Sequence, residues 1–163
     1  MSAFTVLALT ATLLTAAPAS PGASPACPER ALTLRAEAAA ADPAVVRVSV
    51  TNRGDHTCTV ARTPTVTFAD LDGSAQPMPE GATGRYRLGA GGTAYATVRT
   101  VADPSDPQAR RVDALAVSAD PARWGRAFTA AELGTGDTIR VWEPVTSWWQ
   151  ISPAAADRAL GLG

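Results

Sequence analysis

The sequence predicts an all-β fold: an antiparallel two-sheet sandwich closed by a short C-terminal helical turn. Three observations carry that expectation. Val46, Val48 and Val50 alternate with Arg47, Ser49 and Thr51, the period of two that a half-buried strand requires. Turn residues recur at intervals of about 8 to 12 residues, the spacing of short strands in a sandwich. No β-helix-β alternation interrupts them, which argues against a parallel sheet.

Taken in order, Ala31-Leu32-Thr33-Leu34-Arg35 alternates like the valine run, and Asp42-Pro43 between the two suggests a hairpin-like connection and pairing. Asn52-Arg53-Gly54-Asp55 reads as a turn, and Thr57-Cys58-Thr59-Val60 resumes β-type residues before Pro64. Thr65-Val66-Thr67-Phe68 is the next strand, stopped by Asp70-Leu71-Asp72-Gly73, since Asp-Gly is a strong turn signal. The proline-rich stretch from Gln76 to Glu80 reads as loop. Tyr86 to Leu88 and Ala94 to Val101 flank Gly89-Ala90-Gly91-Gly92 as a strand-turn-strand unit, with Ala94, Ala96 and Val98 on one face. After the Asp103 to Pro107 loop, Ala114 to Ser118 turns Leu115 and Val117 inward, and Thr138 to Trp142 turns Ile139 and Val141 inward. Trp148 to Ser152 is expected to make the last strand. Thr129-x-x-Glu132 has the spacing of a capping box, and Ser152-Pro153 can cap and start a helical turn over Ala154 to Leu160.

The length of 163 residues suits one domain with a removable end. With 46% hydrophobic and 18% charged residues, the chain lies outside the composition of disordered proteins. A net charge of -1 provides no general attraction for nucleic acid or anionic lipid. All 14 cations are arginine, the bias of a GC-rich genome. Met1 to Ala26 carries no charged side chain, and Phe4 to Leu14 is an apolar run of the length of a secretory h-region. It is shorter than the roughly 20 residues a bilayer span needs. Ala17-Pro18-Ala19 offers a small-x-small cleavage pattern. The expected organisation is a signal peptide over 1–19, a flexible lead-in over 20–26, a β-sandwich over 27–152 and a tail over 153–163. The mature product is then secreted or associated with the cell envelope. A lipid anchor at Cys27 would be preceded by a leucine, which Ser24-Pro25-Ala26 lacks.

Two cysteines in an exported chain read as one disulfide, Cys27 to Cys58. Closing that loop restricts the unfolded chain by roughly 3 to 4 kcal/mol in the chain-entropy account. Two cysteines and one histidine cannot complete a four-ligand structural zinc site without carboxylates, and no cofactor is expected.

The segment from Cys27 to Val117 resembles an actinobacterial family of secreted and lipid-anchored proteins, domain of unknown function 4232. The resemblance rests on Cys27 and on Val50-Thr51-Asn52-Arg53-Gly54-Asp55-His56-Thr57-Cys58-Thr59. Phe68 to Gly73 and Leu88-Gly89-Ala90-Gly91-Gly92-Thr93-Ala94-Tyr95-Ala96 add two weaker matches. It implies an immunoglobulin-like sandwich and no assigned activity. Many members carry a second cysteine pair in the C-terminal half, which this chain lacks.

Candidate chemistries thin out on inspection. His56 is the only histidine, so any Ser-His-Asp or Cys-His mechanism runs through it, yet it sits in a turn where a solvated side chain is expected. Asp70-x-Asp72-Gly73 starts like a calcium loop, but no closing bidentate Glu follows at the required spacing. Arg53-Gly54-Asp55 spells an adhesion tripeptide of a kind common by chance. Trp142, Trp148 and Trp149 fall within eight residues, with Trp124 upstream, and aromatic side chains concentrate at binding surfaces. The same rings can equally fill a core, Trp149 with Ile151 in particular. The expected interaction surface is Trp142, Trp148 and Trp149, beside the turn residues Gly134 to Asp137. Glu132, Asp137 and Glu143 are the acids a hydrolase would draw on there. No catalytic or metal-binding residue is singled out. The leading expectation is a non-enzymatic binding or accessory domain of the envelope or medium, whose partner is an envelope protein or a wall glycan. The alternatives are a secreted hydrolase acting on wall glycan and a purely structural envelope domain.

Overall fold

The computed structural model describes residues 24–81 and 83–162. The expected signal peptide over 1–19 lies outside the described residues, as does most of the lead-in. In chain order the elements are β1 (Leu32–Ala39), β2 (Asp42–Asn52), β3 (Cys58–Ala61), β4 (Thr65–Thr67), β5 (Gln76–Met78), β6 (Arg85–Leu88) and β7 (Thr93–Arg99). They continue with β8 (Arg110–Val112), β9 (Ala114–Ser118), β10 (Arg126–Thr129), α1 (Ala130–Leu133), β11 (Ile139–Val141), β12 (Val145–Ser147) and α2 (Pro153–Ala159).

The fold is mostly β. One five-stranded sheet runs in the order β1-β2-β7-β12-β5, and β10-β9-β4, β11-β8 and β3-β6 form smaller sheets. A hydrogen bond from the Ala61 amide to the Ala119 carbonyl ties β3 to the end of β9. The sheets share one apolar core. Val46, Val48 and Val50 of β2 and Ala94, Ala96 and Val98 of β7 meet Val60, Val66, Phe68, Leu115 and Val117 from the smaller sheets. This is the alternation read from the sequence, compatible with the immunoglobulin-like sandwich the resemblance implies. Both helices start as their sequences require. Thr129 and Glu132 close a reciprocal capping box, and the Ser152 hydroxyl accepts from the Ala155 amide with Pro153 at the first helical position.

Three expectations need correcting, and a fourth element pairs in a way the sequence does not show. The β1–β2 turn falls on Ala40 and Ala41, while Asp42-Pro43 already opens β2, and the Asp42 carboxylate accepts from the Ala44 amide. Within Gln76 to Glu80, read as loop, β5 pairs in parallel with β12, while the other pairings between the described strands are antiparallel. Pro77 hid that strand in the sequence, and it is tolerated because β5 lies at the edge of the sheet. The strand-turn-strand unit is present as β6 and β7, but β6 pairs with β3 and β7 with β2, so Gly89 to Gly92 crosses between sheets. The final strand is β12, before the predicted Trp148 to Ser152. There the chain keeps only the Tyr95–Gln150 bridge, because Trp149 drops into the core.

Residues 153–162, the described part of the expected tail, carry α2. α2 lies over the outer face of the five-stranded sheet with Ala156 fully buried. Asp157 takes a hydrogen bond from the Thr97 hydroxyl at 2.7 Å and pairs with Arg47 at 2.8 Å. Thr97, placed on the solvent face by alternation, is buried for that reason.

Candidate functional site

The motif around Asn52 is assembled by Asn52 itself, which is 1% exposed. Its Nδ2 donates to the His56 carbonyl at 2.8 Å and the Gly89 carbonyl at 3.0 Å, and its Oδ1 accepts from the Gly54 amide at 2.9 Å. Its own amide donates to the Gly92 carbonyl, and its carbonyl accepts from the Gly91 amide. One buried side chain thus knits the 52–58 turn to the Gly89–Gly92 crossover. Beside it Cys27 and Cys58 form a buried disulfide, so the Cys27 sulfur is not free to carry a lipid. His56 pairs with Asp55, and both are exposed. The bond from His56 holds the Asp55 carboxyl below its ordinary range. Arg53 donates to the Thr33 hydroxyl along β1. The motif is a structural knot that joins two turns beside the disulfide.

The three late tryptophans separate into different roles. Trp149 is 1% exposed and belongs to the core, so it contributes nothing to a surface. Trp148 is half-buried, its indole donating to the Pro79 carbonyl at 2.9 Å while the Arg62 guanidinium lies 4.9 Å from the ring centroid. Trp142 is half-buried and lines an open cleft of about 330 Å³. Its neighbours there are not Gly134 to Asp137 but the turn after β4, so the cleft joins two features far apart in sequence, Trp142 and Asp72-Gly73.

Phe68, Leu71 and Trp142 wall this cleft, and five polar side chains face it: Asp72, Ser74, Gln76, Arg110 and Glu143. None of the three charged ones forms an ion pair among the described residues. None of the five side chains forms a hydrogen bond with a described residue either. The backbone on both sides is strained. Ala69 at φ 36° and Glu143 at φ 45° are the only non-glycine residues of positive φ among the described ones. Such conformations cost on the order of 1 to 3 kcal/mol each and concentrate at binding sites.

The acids named for a hydrolase are not brought together. The Glu132 carboxylate is spent on the Thr129 amide and hydroxyl, which lower its pKa, and Asp137 does not line the cleft. The other displaced carboxylates are also displaced downward. Asp103 is lowered by its bonds to Ser105. In Asp120, burial pushes upward but is outweighed by the Ala122 amide and by Arg85. A general acid needs the opposite displacement. Among the described residues no group of three His, Cys, Asp or Glu side chains is placed to hold a metal ion, and no helix is long and apolar enough to cross a membrane.

The family described as Domain of unknown function (DUF4232) matches residues 27–149, beyond the Val117 at which the motif resemblance stops. No curated protein and no solved structure matches.

Proposed function

We propose that this chain, which belongs to the DUF4232 family, is a non-enzymatic exported binding domain of the cell envelope or medium that takes a hydroxyl-rich wall glycan at the Trp142 cleft. One observation carries the reading: an aromatic wall faces five polar side chains that the fold leaves without partners. A sugar offers the complementary surface, apolar C–H faces for the indole and hydroxyls that donate to carboxylates and accept from a guanidinium or an amide. Glu143, one of the cleft's residues, has a strained positive φ, a conformation that concentrates at binding sites. Export is supported by the uncharged apolar leader and by the disulfide.

The test is calorimetric titration of the mature chain with solubilised wall glycan fragments. Saturable binding is expected, weakened at least about tenfold by Trp142→Ala and by Asp72→Asn combined with Glu143→Gln. Equal binding by these variants would remove the glycan from the cleft, and capture of an envelope protein through the same residues would replace it. A steady release of new reducing ends would favour the hydrolase instead.

A further inference from the structure

A second surface lies at the opposite end of β4. Ser118 pairs with Thr65 at one end of that strand, and Phe68 beyond its other end borders the Trp142 cleft. There the 119–125 connection between β9 and β10 holds out Trp124, 90% exposed. The connection is built rather than slack. The Ser118 hydroxyl donates to the Asp120 and Arg123 carbonyls, Asp120 accepts from the Ala122 amide and pairs with Arg85, and a Cβ on Gly125 would stand 2.3 Å from the Val117 carbonyl oxygen. A large indole is thus held in water by an ordered loop, where covering it would release apolar surface from water.

Trp124 itself lines the mouth of a cleft of about 270 Å³ between β1 and β10, each the terminal strand of its sheet, where Arg126 of β10 donates to the Leu34 carbonyl at 3.3 Å. Leu32 and Leu34 of β1 wall it, half-exposed because no further strand follows β1. Glu29 and Arg123 also line it, and neither forms an ion pair among the described residues. One patch therefore carries an apolar knob, an apolar hole, an unpaired anion and an unpaired cation. A patch with both members of each complementary pair fits its own two-fold copy, since an isologous contact sets residue i against j and j against i.

We infer that the β1–β10 face is a homodimer contact, in which Trp124 of each copy enters the Leu32–Leu34 cleft of the other and Glu29 faces Arg123 across the two-fold axis. A net charge of -1 per chain opposes this only weakly. Each ring removes on the order of 150 to 250 Å² from water, so the pair makes the centre of a small, reversible interface.

Sedimentation equilibrium of the mature chain over a wide concentration range tests the inference. A monomer–dimer equilibrium is expected. Trp124→Ala should raise the dissociation constant about 30-fold or more, the loss of a central aromatic anchor, with an unchanged melting temperature at concentrations where both chains are monomeric, because the ring is exposed in the monomer. Glu29→Arg and Arg123→Glu should each weaken the dimer, and the doubly exchanged chain should recover it, a rescue that misfolding cannot imitate. A monomer at every concentration overturns the inference, as does a dimer indifferent to Trp124→Ala or a double exchange no better than the singles. A monomer whose Trp124 cleft takes wall glycan or an envelope protein overturns it as well.

Discussion

Asn52 and the tryptophans show what individual residues decide. Asn52 is fully enclosed, and its side chain is satisfied by the two turns it helps to join. Asn52→Ala strands the His56 and Gly89 carbonyls and the Gly54 amide, and should lower the unfolding free energy by about 2 to 4 kcal/mol in urea titration. Its importance was half legible. The motif around it could be recognised in the sequence, but an asparagine in a turn-like string reads as a turn former, and only burial reveals it as a clasp. The same holds for the three late tryptophans, identical in type and close in sequence. Trp149→Ala should cost about 3 to 5 kcal/mol, as core aromatic truncations do. Trp142→Ala should cost clearly less, since its ring is only half-buried, while removing glycan binding. A thermal melt of the two variants side by side checks the ranking.

Alternation located nearly every strand that faces the core, whereas pairing partners and short edges escaped it. β5 is interrupted by a proline, and β8 carries two exposed arginines, so neither shows an apolar period. At this scale α2 is the element whose docking depends on one carboxylate. Burial alone would raise the Asp157 pKa, but hydrogen bonds from Arg47 and Thr97 and the Arg47 charge outweigh it and hold the pKa below its ordinary value of 3.8. The depressed folded value means that the carboxylate favours the docked state fully above the unfolded pKa. That contribution falls away as the pH drops below about 4 and is lost once the folded pKa is passed. Amide protection in α2, measured against the intrinsic exchange rate at each pH, should therefore fall below about pH 4, ahead of the β2–β7 core. Asp157→Asn should remove that pH dependence at a cost of about 1 kcal/mol at neutral pH, modest because Arg47 is well exposed.

For the molecule as a whole, the disulfide closes the N-terminal approach to the sandwich. Pro25 and Cys27 add a parallel bridge to β3 through the Thr59 amide and carbonyl, and Cys58 then locks it. Cys58→Ser should lower stability by about 2 to 5 kcal/mol, and thiol titration of the unfolded, unreduced chain should find none free. The sequence by itself determined the mostly β class, the core faces of β2, β7 and β9, the two helix caps, the cysteine pair and the family. Each of these depends on local periodicity, local hydrogen bonding or a count of two, which a linear string records directly. Only the tertiary structure decided that β6 and β7 part into different sheets, that Trp149 is core while Trp142 meets the Asp72-Gly73 turn, and that Trp124 stands beside an open cleft. Those outcomes depend on which surfaces meet across the core and which strands end a sheet, and residues far apart in the chain settle both.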